Sequence, residues 1–338
     1  MTQYPKMCFD KILPRDMNRP HRSFAPGDPM RAIIVIRKMW PNGSTLRVRF
    51  MEGTDEQKAL ARTQAGWWQE FANLRFDFND DPDAEIRIAF DPRDGAWSYV
   101  GTDCLNIPKD QPTMNLGFQD GGTSAHEFGH AIGLGHEHQN PEGGIEWNED
   151  VVIRDLAGPP NYWTAEQTRH NVIEKYSRDQ VNGTAFDPDS IMLYAFPGTW
   201  THSGIGTHAN DDLSELDKAF IAGALAYPKD RVPVPVELPV IDTTGVAANI
   251  GQPGEEDMFK FTAARADRYT IETGGQTDVV MKLFGPDSQT ALIAEDDDGG
   301  QGRNSKIVAD LAPGVYFVQI RHYNTTSGTG NYTVSVTR

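Results

Sequence analysis

The stretch His126–His138, reading HEFGHAIGLGHEH, holds four of the chain's nine histidines within thirteen positions. That spacing limits the local fold more than any other feature of the sequence. His126 and His130 are four residues apart, about 400° around an α-helix, so both imidazoles leave one face a turn apart. Gly133 comes three residues later, where the chain has to leave the helix sharply. Glycine accepts the left-handed backbone that ends a helix. His136 then returns on the next segment as a third imidazole. Three neutral imidazoles in this pattern form a Zn²⁺ site with an open fourth position, where a bound water's pKa falls to about 7. Glu127 lies beside the first histidine without being a ligand, and is placed to take that water's proton and pass it to a leaving amine. A structural zinc would be closed by a fourth protein ligand, often a cysteine, and this stretch has none. His138 falls two past His136 and is read as bracing or surface. His202 and His208 sit in a Gly/Thr-rich loop and are read as surface.

The surroundings of this helix predict an α+β layout. An irregular Pro- and Arg-rich N-terminal arm covers residues 1–30. STLRVRFM from Ser44 alternates as a strand, and the stretch from Thr54 lines Leu60, Ala61, Trp67, Trp68 and Phe71 along a helix face. RFDF from Arg75 and AEIRIAF from Ala84 read as strands, and WSYVG from Trp97 and TMNLGF from Thr113 as short strands near a cleft. An exposed edge there would bind an extended peptide by strand addition. Two helices open with capping patterns at Thr164 and Ser214. Together these predict one mixed, twisted sheet with helices over residues 31–228. The prolines of 229–240 mark a linker. From 241 to 338 about seven short alternating runs, separated by Gly, Asp and Asn turns, predict an all-β antiparallel sandwich.

Charge and composition exclude several partners. The formal net charge is −17, which disfavours nucleic acid and anionic membranes. No apolar run is long enough for a membrane span. The N-terminal residues lack the apolar centre of a signal peptide.

The chain resembles the metzincin zinc endopeptidases, through H-E-x-x-H-x-x-G-x-x-H at His126–His136 and DSIMLYAF from Asp189. The second motif is similar to the metzincin Met-turn, with Met192 beneath the metal. Within the metzincins the chain is most similar to the astacin-like group. Glu137 directly follows the third histidine, and Tyr194 lies two past Met192, where a tyrosine binds zinc and swings to stabilise the oxyanion. Leu193 stands where astacins commonly have His, and Leu134 where they often have an aromatic. Their usual disulfides cannot form with two cysteines, so the chain is read as an astacin-like bacterial-type branch. EEDMFKF from Glu255, EDDDGGQGRNSKI from Glu295 and LAPGVYFVQI from Leu311 resemble the bacterial pre-peptidase C-terminal sandwich. In that domain Asp296, Asp297 and Asp298 are candidate Ca²⁺ donors, the bland alternative being an acidic hairpin turn.

The resemblance implies a zinc-dependent endopeptidase acting on proteins or peptides, with Glu127 as general base and Tyr194 as oxyanion stabiliser. It also implies a secreted, extracellular protein whose sandwich adheres to extracellular matrix or a cell-surface protein. The competing expectation is an adhesion or toxin-like binding protein with a structural or inactive metal site. Cys8 has three readings. It is a latency thiol that plugs the zinc, as the switch cysteine does in related metzincins, or it bridges to Cys104, or it is a free structural thiol.

Overall fold

A computed structural model describes residues 8–11, 34–35, 38–141, 143–159, 161–176, 181–182, 186–231, 234–240 and 245–338. Most of the expected arm therefore lies outside the described residues. Contacts divide the chain into two compact units. One is built mainly from residues up to Ile221, and the other from Ala222–Arg338 with Pro41–Thr45 and Ala72–Arg75.

The first unit is organised by a six-stranded sheet. Its strands are β1 (Phe9–Lys11), β3 (Thr45–Phe50), β4 (Arg75–Phe78), β5 (Ile86–Ala89), β6 (Ala96–Tyr99) and β7 (Met114–Leu116), in the order β1-β6-β7-β5-β3-β4. A separate pair joins β2 (Ile34–Val35) to β8 (Val181–Asn182). β3, β5 and β7 run parallel, β6 is antiparallel to β7, and β1 is parallel to β6. The sheet is mixed, as the strand–helix–strand sequence predicts. β5 lies inside it, and its Arg87 is fully buried. A buried guanidinium needs acceptors for its rigid fork of donors. Arg87 finds them in the backbone carbonyls of Gln111, Ala84, Ile107 and Pro108.

Helix α1 (Asp55–Phe71) opens at Thr54, whose hydroxyl accepts from the Gln57 amide while Gln57 Oε1 accepts from the Thr54 amide. This reciprocal pair satisfies two donors that a helix start leaves orphaned. The buried face of α1 holds helix α2 (Thr123–Ala131) at two points. The Trp68 indole donates to the Ala125 carbonyl at 2.7 Å, and Gln64 Oε1 accepts from the Ala125 amide at 3.0 Å. The histidine helix is thus pinned, in height and rotation, by a helix far from it in sequence. Three helices follow: α3 (Glu149–Leu156), α4 (Ala165–Thr168) and α5 (Glu215–Ile221). α4 carries the expected capping box, but after one turn it widens into a π-turn over Arg169–Ile173. α5 stops two residues before Gly223, sooner than its apolar run suggests.

Among the described residues, the second unit is a sandwich with two more strands than the seven runs predict. β10 (Val246–Ile250), β17 (Gly330–Thr337), β12 (Asp267–Gly275) and β15 (Lys306–Leu311) form one sheet. β14 (Leu292–Asp296), β13 (Val279–Phe284), β16 (Gly314–His322), β11 (Glu256–Ala263) and β9 (Val236–Glu237) form the other. Among the described residues the strand pairings are antiparallel, apart from β9 with β11. Alternate residues of both sheets, among them Phe261, Ile271, Leu283, Tyr316, Val318 and Val334, meet in one apolar core. A polar link accompanies it, the Tyr332 hydroxyl donating to Asp257 Oδ2 at 2.6 Å.

Candidate metal centre

α2 presents His126 and His130 from one face, as the four-residue spacing requires, with ring centroids 4.8 Å apart. The helix then ends where Gly133 takes φ +103°. The Gly133 amide donates to the His130 carbonyl, and the redirected chain brings His136 back against His130, with ring centroids 4.4 Å apart. The Nε2 atoms of His126 and His136 lie 3.1 and 3.0 Å from Nε2 of His130. His126 Nδ1 donates to the Ile191 carbonyl and His130 Nδ1 to the Leu134 carbonyl, so both rings turn an Nε2 lone pair inward. Burial pushes His126 down to about 4 and holds His130 and His136 well below the usual histidine range, so the rings are neutral.

Cys8 is the fourth member of this cluster. Its Sγ is 2.8 Å from His126 Nε2 and 3.4 Å from His136 Nε2. The four donor atoms lie within 4.8 Å of one another, and all four residues are buried. Neither Cys8 nor Cys104 is in a disulfide, so no bridge joins them. Burial raises the Cys104 thiol, keeping it protonated, and the fully buried sulfur behaves as core filling.

The donor set fits a zinc ion. Inward lone pairs on neutral nitrogens about 3 Å apart repel one another in a dry pocket unless a cation sits among them. Three imidazoles and a thiol are the donors that tetrahedral zinc takes. Glu127 is fully buried on α2 beside His126.

The floor of the site is the turn Ser190–Tyr194. Met192 is buried under α2 so closely that a Cβ at Gly129 would stand 2.5 Å from its sulfur. A side chain at Gly129, one of the two interior letters of the H-E-x-x-H helix, would therefore require the end of Met192 to shift. The Met192 carbonyl accepts from the Glu137 amide at 2.9 Å. Tyr194 stacks on His138 with centroids 4.4 Å apart, and its hydroxyl donates to the Cys8 carbonyl.

Three features of this floor escape a reading by spacing. His138 is buried, not at the surface. It donates Nε2–H to the Asn171 carbonyl at 2.9 Å and backs the Tyr194 ring. Asp217, which the Ser214 pattern marks only as a helix cap, accepts from Ser190 Oγ, the Ile191 amide and the Ser214 amide. It thus holds the residue whose carbonyl orients His126. Glu137 accepts from Asn140 and from the Asp187 amide, and burial pushes its carboxyl up to about 8. His202 and His208 are exposed, as their loop suggests.

The Asp296–Asp298 hairpin is built differently. Asp296 Oδ2 is already engaged by the Gly299 and Lys306 amides, closing the turn. Among the described residues, only the Cys8 cluster brings three or more His, Cys, Asp or Glu donors close enough for one ion.

Comparison with known proteins fits this architecture. The family model for the Astacin peptidases matches residues 33–212, more than half of the chain, and the bacterial pre-peptidase C-terminal domain matches residues 255–322. A solved structure of myroilysin is 37% identical with a TM-score of 0.54, covering 56% of this chain and 96% of that one. Tolloid-like protein 1 of Mus musculus is 28% identical over 174 residues, 49% of this chain and 15% of its own length. The chain thus spans a small part of that relative. Astacin-like metalloprotease toxin 5 of Loxosceles gaucho is 27% identical over 165 residues, 48% of this chain and 80% of its own length. With the family match and the histidine cluster together, the chain belongs to the astacin family of metallopeptidases.

Proposed function

We propose that the protein is a zinc-dependent endopeptidase whose ion is held by His126, His130 and His136. The observation that carries this reading is the convergence of three neutral, inward-facing Nε2 atoms beside the buried Glu127. A zinc ion there supplies Lewis-acid polarisation of water and of the scissile carbonyl. Glu127 accepts the proton of the attacking water and delivers it to the departing amine. The Tyr194 hydroxyl, which donates to the Cys8 carbonyl here, can donate to a substrate oxyanion once that carbonyl leaves. Met192 and Gly133 shape the floor and the turn that set the three rings.

The same reading makes Cys8 a latency thiol: its sulfur lies against two of the three rings and its carbonyl engages Tyr194. The unit that ends at Ile221 then carries the catalysis, and the sandwich, which begins at β9, meets an extracellular matrix or cell-surface protein outside the cell. Calcium at Asp296–Asp298 is not part of this reading, since Asp296 Oδ2 closes the turn and no observation points to an ion there. Casein hydrolysis by the zinc-loaded chain, abolished by a chelator and restored by zinc, tests the reading. Hydrolysis that persists in a metal-free protein would refute it. Replacing Cys8 with Ser raises the initial rate by about tenfold or more if the thiol enforces latency, and an unchanged rate removes that role.

A further inference from the structure

β1 does more than deliver the Cys8 thiol. Lys11 stands opposite Tyr99 in the parallel register of β1 with β6. Its ammonium lies 3.1 Å from the centroid of the Trp97 ring and 5.6 Å from that of Tyr99. Trp97 and Tyr99 are two residues apart on one strand, so both side chains rise from the same face. Their rings meet edge to face, with centroids 6.0 Å apart and planes at 89°. The Trp97 indole N–H donates to Asp94 Oδ2 at 2.8 Å, which fixes the ring and sets a carboxylate beside the cation. Two aromatic faces and a carboxylate around an ammonium are the chemistry of a cation site. Burial lowers the Lys11 pKa, and Asp94 opposes that shift, as expected of a charge held out of water by a partner.

We propose that Asp94, Trp97 and Tyr99 form a specificity subsite for a cationic side chain, filled here by Lys11 and, once β1 leaves, by a lysine or arginine of the substrate. The proposal rests on the endopeptidase reading above. Without β1, β6 is the edge of the sheet and can take an extended peptide backbone to backbone, with side-chain pockets setting preference. Lys11 is three residues from Cys8, so the subsite lies about 10 Å along an extended chain from the histidine cluster. A substrate cation within three residues of the scissile bond reaches it. The net charge of −17 further favours cationic substrates.

The test uses the full chain carrying Cys8→Ser and Lys11→Ala, with Asp10→Pro added to break the pairing of β1 with β6, loaded with zinc, which clears the thiol, frees the edge of β6 and vacates the subsite. Peptides differing only in lysine against norleucine, at each of the three positions on either side of the scissile bond, are compared by kcat/KM. Lysine is expected to win by about five- to thirty-fold at one of these positions. Adding Trp97→Leu removes the preference. Adding Asp94→Asn, which keeps the packing, cuts it to about two- to three-fold. Equal rates for lysine and norleucine at every position overturn the subsite and leave the endopeptidase reading intact, as does a preference that survives both added substitutions. A zinc-loaded chain that cleaves none of the peptides overturns the endopeptidase reading, and the subsite with it.

Discussion

The two units spend their buried residues differently. The sandwich buries alternate apolar side chains of two sheets, and strand pairing satisfies its backbone. The catalytic unit buries Arg87, Glu127, His126, His130, His136, Glu137, His138 and Asp217. Each of those costs free energy unless a partner is in place. The sandwich buries polar groups too, Lys282, Ser305, Gln319 and Arg321 among them, but around its apolar core side-chain volume is the main term in stability. In the catalytic unit, individual polar atoms decide it, and neighbours are chosen to hold them. Gly129 against the Met192 sulfur and Asp217 at the Ile191 amide are neighbours of that kind.

Substitutions can break or sharpen this contrast. The largest effect is expected from Glu127→Ala, which should cut peptide hydrolysis by about 10²–10⁴-fold while bound zinc, measured by mass spectrometry, stays at one per chain. Full activity in that variant would remove Glu127 from the chemistry. In the sandwich, Phe261→Ala should cost about 3–5 kcal/mol of that unit's stability in denaturant unfolding, because Phe261 is fully buried among apolar neighbours. A cost below about 1 kcal/mol would mean that the core does not work by volume. Asp217→Ala leaves the Ser190 hydroxyl, the buried Ile191 amide and the half-buried Ser214 amide without their acceptor and should cost about 2–3 kcal/mol. It should also weaken zinc retention against a chelator, which a purely packing role would leave unchanged. Met192→Leu conserves volume and should cost less than about 1.5 kcal/mol with zinc retained. A larger loss would show that the sulfur itself, beyond its bulk, is needed under α2.

Legibility in the sequence follows the same divide. The histidine cluster can be read from spacing because two of its members share a helix turn and the third lies just beyond a glycine. Seven of the sandwich strands, β11 to β17, can be read from alternation. β10 cannot, because Val-Ala-Ala-Asn-Ile places small residues on both faces and hides the period. β9 has only two residues. Asp217 is visible as a cap, but its hold on Ile191 spans 26 residues, and no local pattern encodes it. Cys8 can be weighed from sequence only as one of three possibilities. The contact with His126 joins residues 118 apart and depends on β1 finding β6. Interactions closed within a helix turn or strand leave a periodic trace, and those closed by tertiary folding leave none.

Because Cys8 belongs to the same chain as the histidines, its grip on the cluster is a unimolecular equilibrium. Diluting the protein does not loosen it, and a thiol added in solution competes with a tethered one whose effective concentration is set by the chain between them. If Cys8 enforces latency as proposed, release of the cluster follows events on that one segment, such as a cut in the backbone or capping of the sulfur. The amount of protein present has no part in it.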